Sequence, residues 1–498
     1  MEIRGKNSIF SFFLHSKDFS DDNLPEGLVR KNTIGTYTFH TDSTTPLQYF
    51  KQDGRELIIF GYAIDVLSGQ YENLPKTVLD LTNNLREVIE YEKRLGGKYI
   101  VLYAEKGKCY FIGDATCSTP LFYTVSPSVF ICCSNPKWII DELSLISDEY
   151  FQSIRDSGPL NQAMPFDVTP YKEIKQLIPN HYLDCSKQKS LRFVNLAEKQ
   201  TKLSPAEAAK ITAPMIDNIA KLYVDKFDVL CPLTSGRDSR VVYAFLKEEC
   251  SNLKTYTIWH DRFKKDDQDW IVPTELIKKG KTNNHQQHYK EKISPELKAQ
   301  MDVLLGINGY PDDAFVLSLT VKKNYGNCAA TEGDIIGQVG KCSLHRDIPS
   351  FLATPRYFRC KLHNYSDGAR KYLKTWIDEI KSSGEKVNLF DLFSVENRLG
   401  VWATQTHLIR NTMGMPFVNI FNSRSIIYTL TAVDRAERKN SLIHVELIKL
   451  KAPELLEIPF EKEHSGFVNV AKSNKFVFYL ASFVKYYLQR REFLKLNN

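Results

Sequence analysis

A short polar turn at residues 234–239 carries the residue types best suited to chemistry in this sequence. It reads Thr-Ser-Gly-Arg-Asp-Ser and lies between an apolar run at 228–233 and a segment at 241–246 with helical apolar spacing. A helix that begins just after a strand presents unpaired backbone N–H groups and a positive dipole end. Small residues let phosphate oxygens approach those groups closely. The turn therefore predicts a phosphate-binding site.

The side chains of this turn suit a metal-bound phosphate. Thr234, Ser235 and Ser239 supply hydroxyl donors, and Gly236 allows close approach. Asp238 is an anion and would repel a bare phosphate, but a bridging Mg²⁺ removes that conflict. The alternative is a plain polar turn in which Asp238 or Ser239 caps the following helix.

The elements before this turn are predicted to be rich in β-strand. Short apolar runs such as 56–60 alternate with turn signals, and a helix is predicted over 76–93. The polar stretch 187–204 predicts the boundary between two domains, at 1–195 and 200–498.

The pattern changes beyond that boundary. Ser204 and Glu207 form a capping box that opens a helix to about residue 223. Strands and helices then alternate, which predicts a parallel sheet with helices on both sides. The predicted elements are strands at 228–233 and 253–259, a helix at 270–279, and a mostly helical region from about 345 onwards.

Bulk composition limits the functional classes. The chain has 498 residues, 43% of them hydrophobic, and a net charge of +7, which predicts a globular protein with a weak preference for anionic ligands. The basic residues are dispersed, and no apolar run is long enough to span a bilayer. Ten cysteines without a CxxC pair predict free thiols. We therefore expect a cytoplasmic protein with neither a nucleic-acid nor a membrane partner, and the sequence leaves a homodimer open.

The 234–239 turn resembles the pyrophosphatase loop SGGxDS of the asparagine synthetase-like family, which is also found in N-type ATP pyrophosphatases. Thr234 stands for the first serine, Ser235 and Gly236 for the two glycines, and Asp238 and Ser239 match. Ser235 departs from the motif and would narrow the loop.

Further segments resemble the family in the same order along the chain. Residues 331–337 resemble its GxGxDE segment, with Gly333 at the phosphates and Asp334 as the second magnesium aspartate. Asp269 matches an acidic position after the second strand. The remaining matches are a proline-acid turn at 310–313 and two segments of the helical end at 420–424 and 453–460.

The first domain resembles a class II glutamine amidotransferase, which implies an Ntn-hydrolase-like αββα sandwich. The matching segments are 96–101, 113–123 and 174–183, the last corresponding to a closing hairpin. The family's nucleophilic cysteine is replaced by Glu2, and a carboxylate cannot form the thioester intermediate. We therefore expect no glutaminase activity. The nitrogen source is then free ammonia or, as in the β-lactam synthetase and lasso-peptide cyclase branches, an amine already present on the substrate, which the resemblance favours.

The resemblance implies an adenine nucleotide α-hydrolase-like (PP-loop) domain that adenylates a carboxylate with ATP and Mg²⁺, then transfers the acyl group to an amine or ammonia. The acyl donor would be a small-molecule or peptide carboxylate. Adenine would lie near Leu233 and Thr257, and Arg237 near the phosphates. Asp238 and Asp334 would hold Mg²⁺, and Lys462, the remaining predicted catalytic residue, would stabilise the transition state of adenylation.

No glutamate of the sequence matches the family's amine-activating base, and Glu396 is an unaligned candidate. Two alternatives stay open. One is a non-catalytic scaffold, and the other is an ATP pyrophosphatase that acts on RNA.

Overall fold

A computed structural model gives the architecture of the chain. The residues that it describes are 8–16, 19, 24–125, 129–158, 164–193, 201–259, 267–305, 312–383, 387–460 and 474–497. Within these ranges, no helix combines the length and apolar character that crossing a membrane requires.

Seventeen strands are present in the described ranges. Their bounds are β1 (Phe12–Ser16), β2 (Arg30–Ile34), β3 (Tyr37–Thr41), β4 (Leu47–Gln52), β5 (Arg55–Asp65), β6 (Leu95–Glu105), β7 (Lys108–Gly113), β8 (Phe122–Thr124), β9 (Ile131–Cys133), β10 (Ile174–Gln176), β11 (His181–Asp184), β12 (Lys189–Arg192), β13 (Val229–Pro232), β14 (Lys254–Trp259), β15 (His285–Tyr289), β16 (Ala329–Thr331) and β17 (Phe417–Val418).

Seventeen α-helices accompany them in the same ranges. Their bounds are α1 (Leu74–Leu81), α2 (Leu85–Glu92), α3 (Pro136–Glu142), α4 (Glu149–Asp156), α5 (Pro205–Lys226), α6 (Arg237–Glu249), α7 (Gln268–Gly280), α8 (Pro295–Leu305), α9 (Asp312–Tyr325), α10 (Pro355–Leu362), α11 (Asp367–Ser382), α12 (Leu389–Phe393), α13 (Thr404–Thr412), α14 (Arg424–Thr431), α15 (Arg435–Lys439), α16 (Leu442–Lys451) and α17 (Lys475–Asn497). Two π-helical segments, Ile336–Gly340 and Ser394–Ala403, and two 3₁₀ turns, Ser350–Leu352 and Pro453–Glu457, complete the set.

The first half of the chain builds two antiparallel six-stranded sheets that face each other. Their strand orders are β10-β8-β9-β1-β3-β2 and β12-β11-β7-β6-β5-β4. Alternate residues of β5 serve opposite faces, as the pleat requires: Ile58 and Phe60 enter the core between the sheets, whereas Leu57 and Ile59 face outwards. Across that core, Phe12 of the first sheet stacks on Phe111 of the second at 5.8 Å.

Helices cover both outer faces of this pair of sheets. The α1 and α2 helices pack on the second sheet around Leu57 and Val101. The first sheet is covered partly by helices from the second half of the chain, through Met301 of α8 and Leu408 of α13. The predicted αββα layering is therefore observed, with one outer layer shared between the two halves.

The second half contains a five-stranded parallel sheet, in the order β15-β14-β13-β16-β17. On β13, Val229 and Cys231 pack with α5, α6 and α16 on one face. Leu230 packs on the other face, where α9 contributes Val321. The predicted parallel sheet with helices on both sides is confirmed, and the region beyond it is mostly helical as expected.

The capping box at the start of α5 is also confirmed. The Ser204 hydroxyl accepts from the backbone N–H of Glu207 at 3.3 Å, and the Glu207 carboxylate accepts from the backbone N–H of Ser204 at 2.8 Å. This reciprocal pair satisfies N–H groups that have no partner within the helix. The helix continues to Lys226, slightly past the predicted end.

Two local predictions in the first half are wrong. The single helix over 76–93 is broken after Leu81, because the side chain of Asn84 accepts from the N–H of Glu87 and starts a second helix. The predicted closing hairpin over 174–183 does not form, because β10 and β11 belong to different sheets. Asn180, with φ of 66°, supplies the left-handed turn just before β11.

Buried polar contacts join the two halves. The backbone and side chain of Asn422 bond to the backbone of Gly97, at 2.9 and 2.7 Å. Arg424 forms a buried ion pair with Glu92 and donates to the carbonyl of Gly113 at 3.0 Å. The sequence segment at 420–424 thus holds the parallel-sheet region against the second antiparallel sheet.

Candidate functional site

The 234–239 turn lies where the predicted phosphate site requires it. It joins the carboxyl end of β13 to the N-terminus of α6. The chain runs from β13 outwards through β14 and β15, then returns to the other side of β13 as β16. The strand order therefore reverses between β13 and β16, and ligands of open parallel sheets bind in the crevice at such a point.

The first turn of α6 is open to a ligand. Gly236 stands at the N-cap, and within the described ranges no side chain caps the helix there. The N–H groups of the first helical turn lack intrahelical partners, and the dipole makes this end positive. Asp238 is the acidic residue of that turn, next to Arg237.

Two predicted hydroxyl donors shape the turn itself. Ser239 Oγ accepts from the backbone N–H of Thr234 at 3.1 Å and lies 3.0 Å from its Oγ1. Thr234 Oγ1 in turn accepts from the N–H of Gly236 at 3.1 Å. These three contacts close a compact loop, so Thr234 and Ser239 fix its conformation.

The third predicted donor, Ser235, is buried and bonded to an acidic side chain. Its backbone N–H and its hydroxyl both donate to Oδ1 of Asp269, at 3.0 and 2.6 Å. Asp269 is in the first turn of α7, where Asp267 accepts from its N–H at 3.0 Å. The side chain in the motif's first glycine position is therefore used to bind the loop to α7.

Asp238 pairs with a histidine that sequence reasoning missed. Nε2 of His444, in α16, lies 2.8 Å from Oδ1 of Asp238. The histidine side chain is fully buried, whereas the aspartate side chain is 38% exposed. Burial raises the pKa of Asp238, but His444, Lys341 and Arg237 outweigh burial and leave its pKa below the ordinary value. The carboxylate is thus held ionised and partly open to solvent.

The segment after β16 packs directly on Asp238. A Cβ atom added at Gly337 would lie 2.8 Å from Oδ2 of Asp238, and one added at Gly333 would lie 3.3 Å from its carbonyl oxygen. Glycine at both positions permits this close approach without displacing Asp238. Gly333 and Asp238, predicted from separate motifs, therefore come together.

Asp334 turns towards a different partner. Its Oδ1 accepts from Asn419 Nδ2 at 2.6 Å and from the N–H of Ile335 at 2.8 Å. Burial and the nearby Glu332 raise its pKa to about 7. With Thr116 and Ser118 of the first half it lines a cavity of about 10 Å³, room for roughly one water.

The two predicted magnesium ligands thus have separate surroundings. Among the described residues, no group of three or more His, Cys, Asp or Glu side chains converges on a metal site. Mg²⁺ in nucleotide sites is commonly held by one or two carboxylates together with phosphate oxygens and water. The partly exposed, ionised carboxylate of Asp238 fits such a role. Asp334 is half-buried and lies near Glu332, which already forms an ion pair with Arg410.

The remaining predicted site residues differ in their positions relative to the turn. Leu233 and Thr257 are buried, and the Thr257 hydroxyl donates to the Leu233 carbonyl at 2.6 Å. Arg237 lies over the Phe460 ring at 5.0 Å. Lys462, two residues farther along, is outside the described residues.

Arg240 holds the 453–460 segment against the turn. Its buried guanidinium donates to the carbonyls of Ile458 at 2.6 Å and Ser235 at 3.1 Å, and lies 4.3 Å from the centre of the Phe460 ring. This arginine is therefore structural.

Glu396, the unaligned candidate base, is fully buried in an ion pair with Arg192. It also accepts from Asn180 at 2.9 Å and from Trp376 at 2.8 Å. These contacts join the two halves of the chain, so Glu396 is an anchor and not a base facing a substrate.

Comparison with known proteins gives little guidance. No protein-family model and no curated protein matches the chain. Among solved structures, it is similar to the glutamine phosphoribosylpyrophosphate (PRPP) amidotransferase of B. subtilis complexed with ADP and GMP. The two share 10% sequence identity over 60% of this chain and 88% of that chain, with a TM-score of 0.24. A structure of the allosteric regulatory enzyme of purine biosynthesis matches at 12% identity, 54% of this chain, 64% of that chain and a TM-score of 0.25. Likeness at this level identifies neither fold nor function.

Proposed function

We propose that this chain is an ATP-dependent ligase that converts a carboxylate to an acyl-adenylate, releases pyrophosphate and forms an amide bond. The proposal rests on one observation: the uncapped start of α6 opens at the reversal point of a parallel sheet, with Asp238 against Gly333 and Gly337. The fold assigned under this proposal is an adenine nucleotide α-hydrolase-like (PP-loop) domain beside an Ntn-hydrolase-like sandwich.

The charges around the turn favour a metal-bound polyphosphate over a simple anion. Arg237, Lys341 and the helix end are positive, whereas Asp238 and Asp334 are acidic. A bare phosphate would meet the repulsion of the ionised Asp238 carboxylate. A Mg²⁺–triphosphate carries both signs of charge and can satisfy both sets of groups.

Each residue then has a role in positioning. The N–H groups of the first α6 turn hold the leaving phosphates, and Arg237 adds charge beside them. Asp238, kept ionised by His444, and Asp334 would hold Mg²⁺, which when bound neutralises phosphate charge. Alignment of the substrate carboxylate with the α-phosphorus supplies much of the rate in such a step.

The nitrogen would come from an amine on a substrate or from free ammonia. The proposal does not require the sandwich half to release ammonia from glutamine. The contacts of the sandwich half with the parallel-sheet half, through Glu92 and Gly97, give it a structural role. The acyl donor would be a small-molecule or peptide carboxylate.

The test begins with Mg-ATP alone and then adds a panel of carboxylates. Titration calorimetry with Mg-ATP should show binding that Asp238→Asn weakens at least tenfold. With an accepted carboxylate, the protein should release pyrophosphate and AMP. Release of ADP and phosphate instead would overturn the adenylation mechanism.

A matched control distinguishes loss of the proposed Mg-ATP site from loss of one negative charge elsewhere on the protein. Asp225, on the exposed surface of α5, is replaced by Asn in parallel. This variant should bind Mg-ATP like the wild type, and both variants should unfold at the wild-type temperature. If Mg-ATP binding is weakened equally in the two variants, Asp238 is not a residue of the nucleotide site.

A non-catalytic scaffold is the second candidate, and one contact favours it. Asp269 takes the N–H and hydroxyl of Ser235, which a phosphate would otherwise approach. A scaffold predicts no Mg-ATP binding, even after Asp269→Ala removes the competing carboxylate. The ligase predicts that this variant still binds.

A further inference from the structure

Helix α17 is packed on one side and exposed on the other. Its inner side joins the helical core through Phe478, Tyr479 and Phe483, and contacts Tyr365 through Tyr486 and Phe493. The outer side exposes seven large apolar residues, each between 40% and 61% accessible: Phe476, Val477, Leu480, Val484, Tyr487, Leu488 and Leu494.

These residues lie along one face of the helix, and Arg491 interrupts them before Leu494. Val477, Leu480, Val484 and Tyr487 are spaced three and four residues apart, and Leu494 follows at the same period after Arg491. Side chains at this spacing share one face of a helix. Single exposed apolar residues are ordinary, but an apolar stripe along a whole helix marks an interaction surface.

The same helix is strongly cationic. Lys475, Lys485, Arg490, Arg491 and Lys495 are all exposed, and Glu492 is the single acidic residue of the 475–497 range. Arg491 and Lys495 lie on the same face as the apolar residues, whereas Lys485 and Arg490 flank that face. Long basic side chains beside an apolar stripe can extend towards anionic groups while their alkyl stems stay in apolar surroundings.

We propose that the outer face of α17 docks on an anionic lipid bilayer surface, lying in the plane of the headgroups. The apolar stripe would enter the boundary of the acyl chains, and the five cations would meet the lipid phosphates. The helix of 23 residues would lie along roughly 35 Å of the surface.

Charge decides between this partner and a second copy of the chain. Two α17 helices packed face to face would each bring a net charge of +4, from five cations and one glutamate. Repulsion between like charges disfavours that pair, whereas an anionic surface attracts both the cations and the stripe. The sequence-based expectation of no membrane partner rested on the lack of a spanning segment, which is a separate property from lying on a surface.

The experiment uses the full chain and lipid vesicles. Sedimentation with vesicles of phosphatidylcholine containing 30% phosphatidylglycerol should remove the protein from solution, and pure phosphatidylcholine should remove at least tenfold less. Arg490→Gln with Arg491→Gln should weaken binding about fivefold for each charge lost. Raising the salt concentration should weaken it further.

A second pair of variants tests the apolar stripe. Leu480→Glu with Val484→Glu should abolish sedimentation, while Ile146→Glu, at another highly exposed apolar position, should leave it unchanged. Unchanged circular dichroism and melting temperature show that each variant is folded. The proposal is overturned if the wild type stays in solution with anionic vesicles. A dimer that the Leu480 and Val484 changes dissociate, without vesicle binding, would assign the face to a second copy instead.

Discussion

Nε2 of the buried His444 lies 2.8 Å from Oδ1 of the partly exposed Asp238, across 206 residues of sequence. This contact fixes one oxygen of the carboxylate and leaves the other facing Gly337. A ligand-holding carboxylate whose orientation is set by a second residue is typical of metal and phosphate sites. The histidine therefore belongs to the proposed site, although the family motif does not include it.

Loss of this histidine should weaken the site without destroying the fold. His444→Leu removes the hydrogen bond and the charge that lower the pKa of Asp238, so that pKa should rise. We expect pyrophosphate release to fall about 10- to 100-fold. The acidic limb of the pH–rate profile should also move to higher pH, because protonation of Asp238 then begins at higher pH.

A conservative variant distinguishes a role of His444 in positioning Asp238 from a role in packing alone. His444→Gln keeps a donor and should recover part of the lost rate, whereas a purely structural role would make both variants equally impaired. Thermal unfolding of each variant provides the control for stability.

A side chain added on the Gly337 side of the Asp238 carboxylate should also reduce pyrophosphate release. Gly337→Ala places a methyl group 2.8 Å from Oδ2 of Asp238, which must move. Misplacement of a reacting group by about 1 Å can cost roughly 100-fold in rate. We expect Gly337→Ala to lose about 10- to 100-fold in pyrophosphate release.

Gly368→Ala, in α11, is the matched control for this prediction. Its new methyl group would lie 2.6 Å from Cδ1 of Ile154, a flexible apolar end that can move away. Stability should change similarly in the two alanine variants, but only Gly337→Ala should lose activity. Equal activities would show that the Gly337 contact does not constrain Asp238.

Local sequence patterns predict the elements around the site well. The Ser204–Glu207 capping box, the β13 strand and the turn before α6 all depend on neighbouring residues, and the structure has them. Alternation of strands and helices likewise gives the parallel sheet.

The contacts that the sequence could not provide are long-range. His444 reaches Asp238 only because α16 packs beside α5 and α6, and no local spacing encodes that approach. The family resemblance predicts an acidic residue at Asp269, but its bond to Ser235 depends on the side chain that departs from the glycine motif. The break between α1 and α2 depends on a local contact. The sequence prediction missed it because the apolar spacing is helical on both sides of Asn84, whose side chain caps the second helix.

Removing one partner of the buried Arg424–Glu92 pair should destabilise the junction of the two halves. Both side chains are almost fully buried, and burial raises the pKa of Glu92 although Arg424 opposes it. Arg424→Met leaves the carboxylate buried without its cation, which costs about 3–5 kcal/mol of unfolding free energy. Urea denaturation followed by fluorescence measures this loss.

Restoring neutrality should recover stability. The double variant with Glu92→Met and Arg424→Met removes both charges of this pair, so its unfolding free energy should exceed that of Arg424→Met alone. Lys76→Met, which breaks an exposed pair with Asp80, should change stability by no more than about 0.5 kcal/mol. A double variant as unstable as the single one would show that Arg424 contributes through packing.

The buried Lys98 should give the protein a pH-dependent stability above neutrality. Its Nζ donates to Asn411 Oδ1 at 2.9 Å, and burial lowers its pKa to about 7 although Asp114 and Glu332 oppose this. An unfolded lysine has a pKa near 10.4, so between pH 7 and 10 the unfolded chain binds more protons than the folded one. The penalty of burying the charge is therefore complete below pH 7 and disappears as the pH rises.

Relative to Lys98→Met, the unfolding free energy of the wild type should rise by about 1.4 kcal/mol for each pH unit from 7 to 10. Urea titrations at pH 6, 7.5 and 9 measure this difference, and the exposed Lys374→Met controls for loss of a lysine. The difference should be constant below pH 7, because Lys98 is then charged in both states. Parallel profiles for wild type and Lys98→Met across the whole range would mean that Lys98 stays charged in the folded protein, with Asp114 and Glu332 outweighing burial.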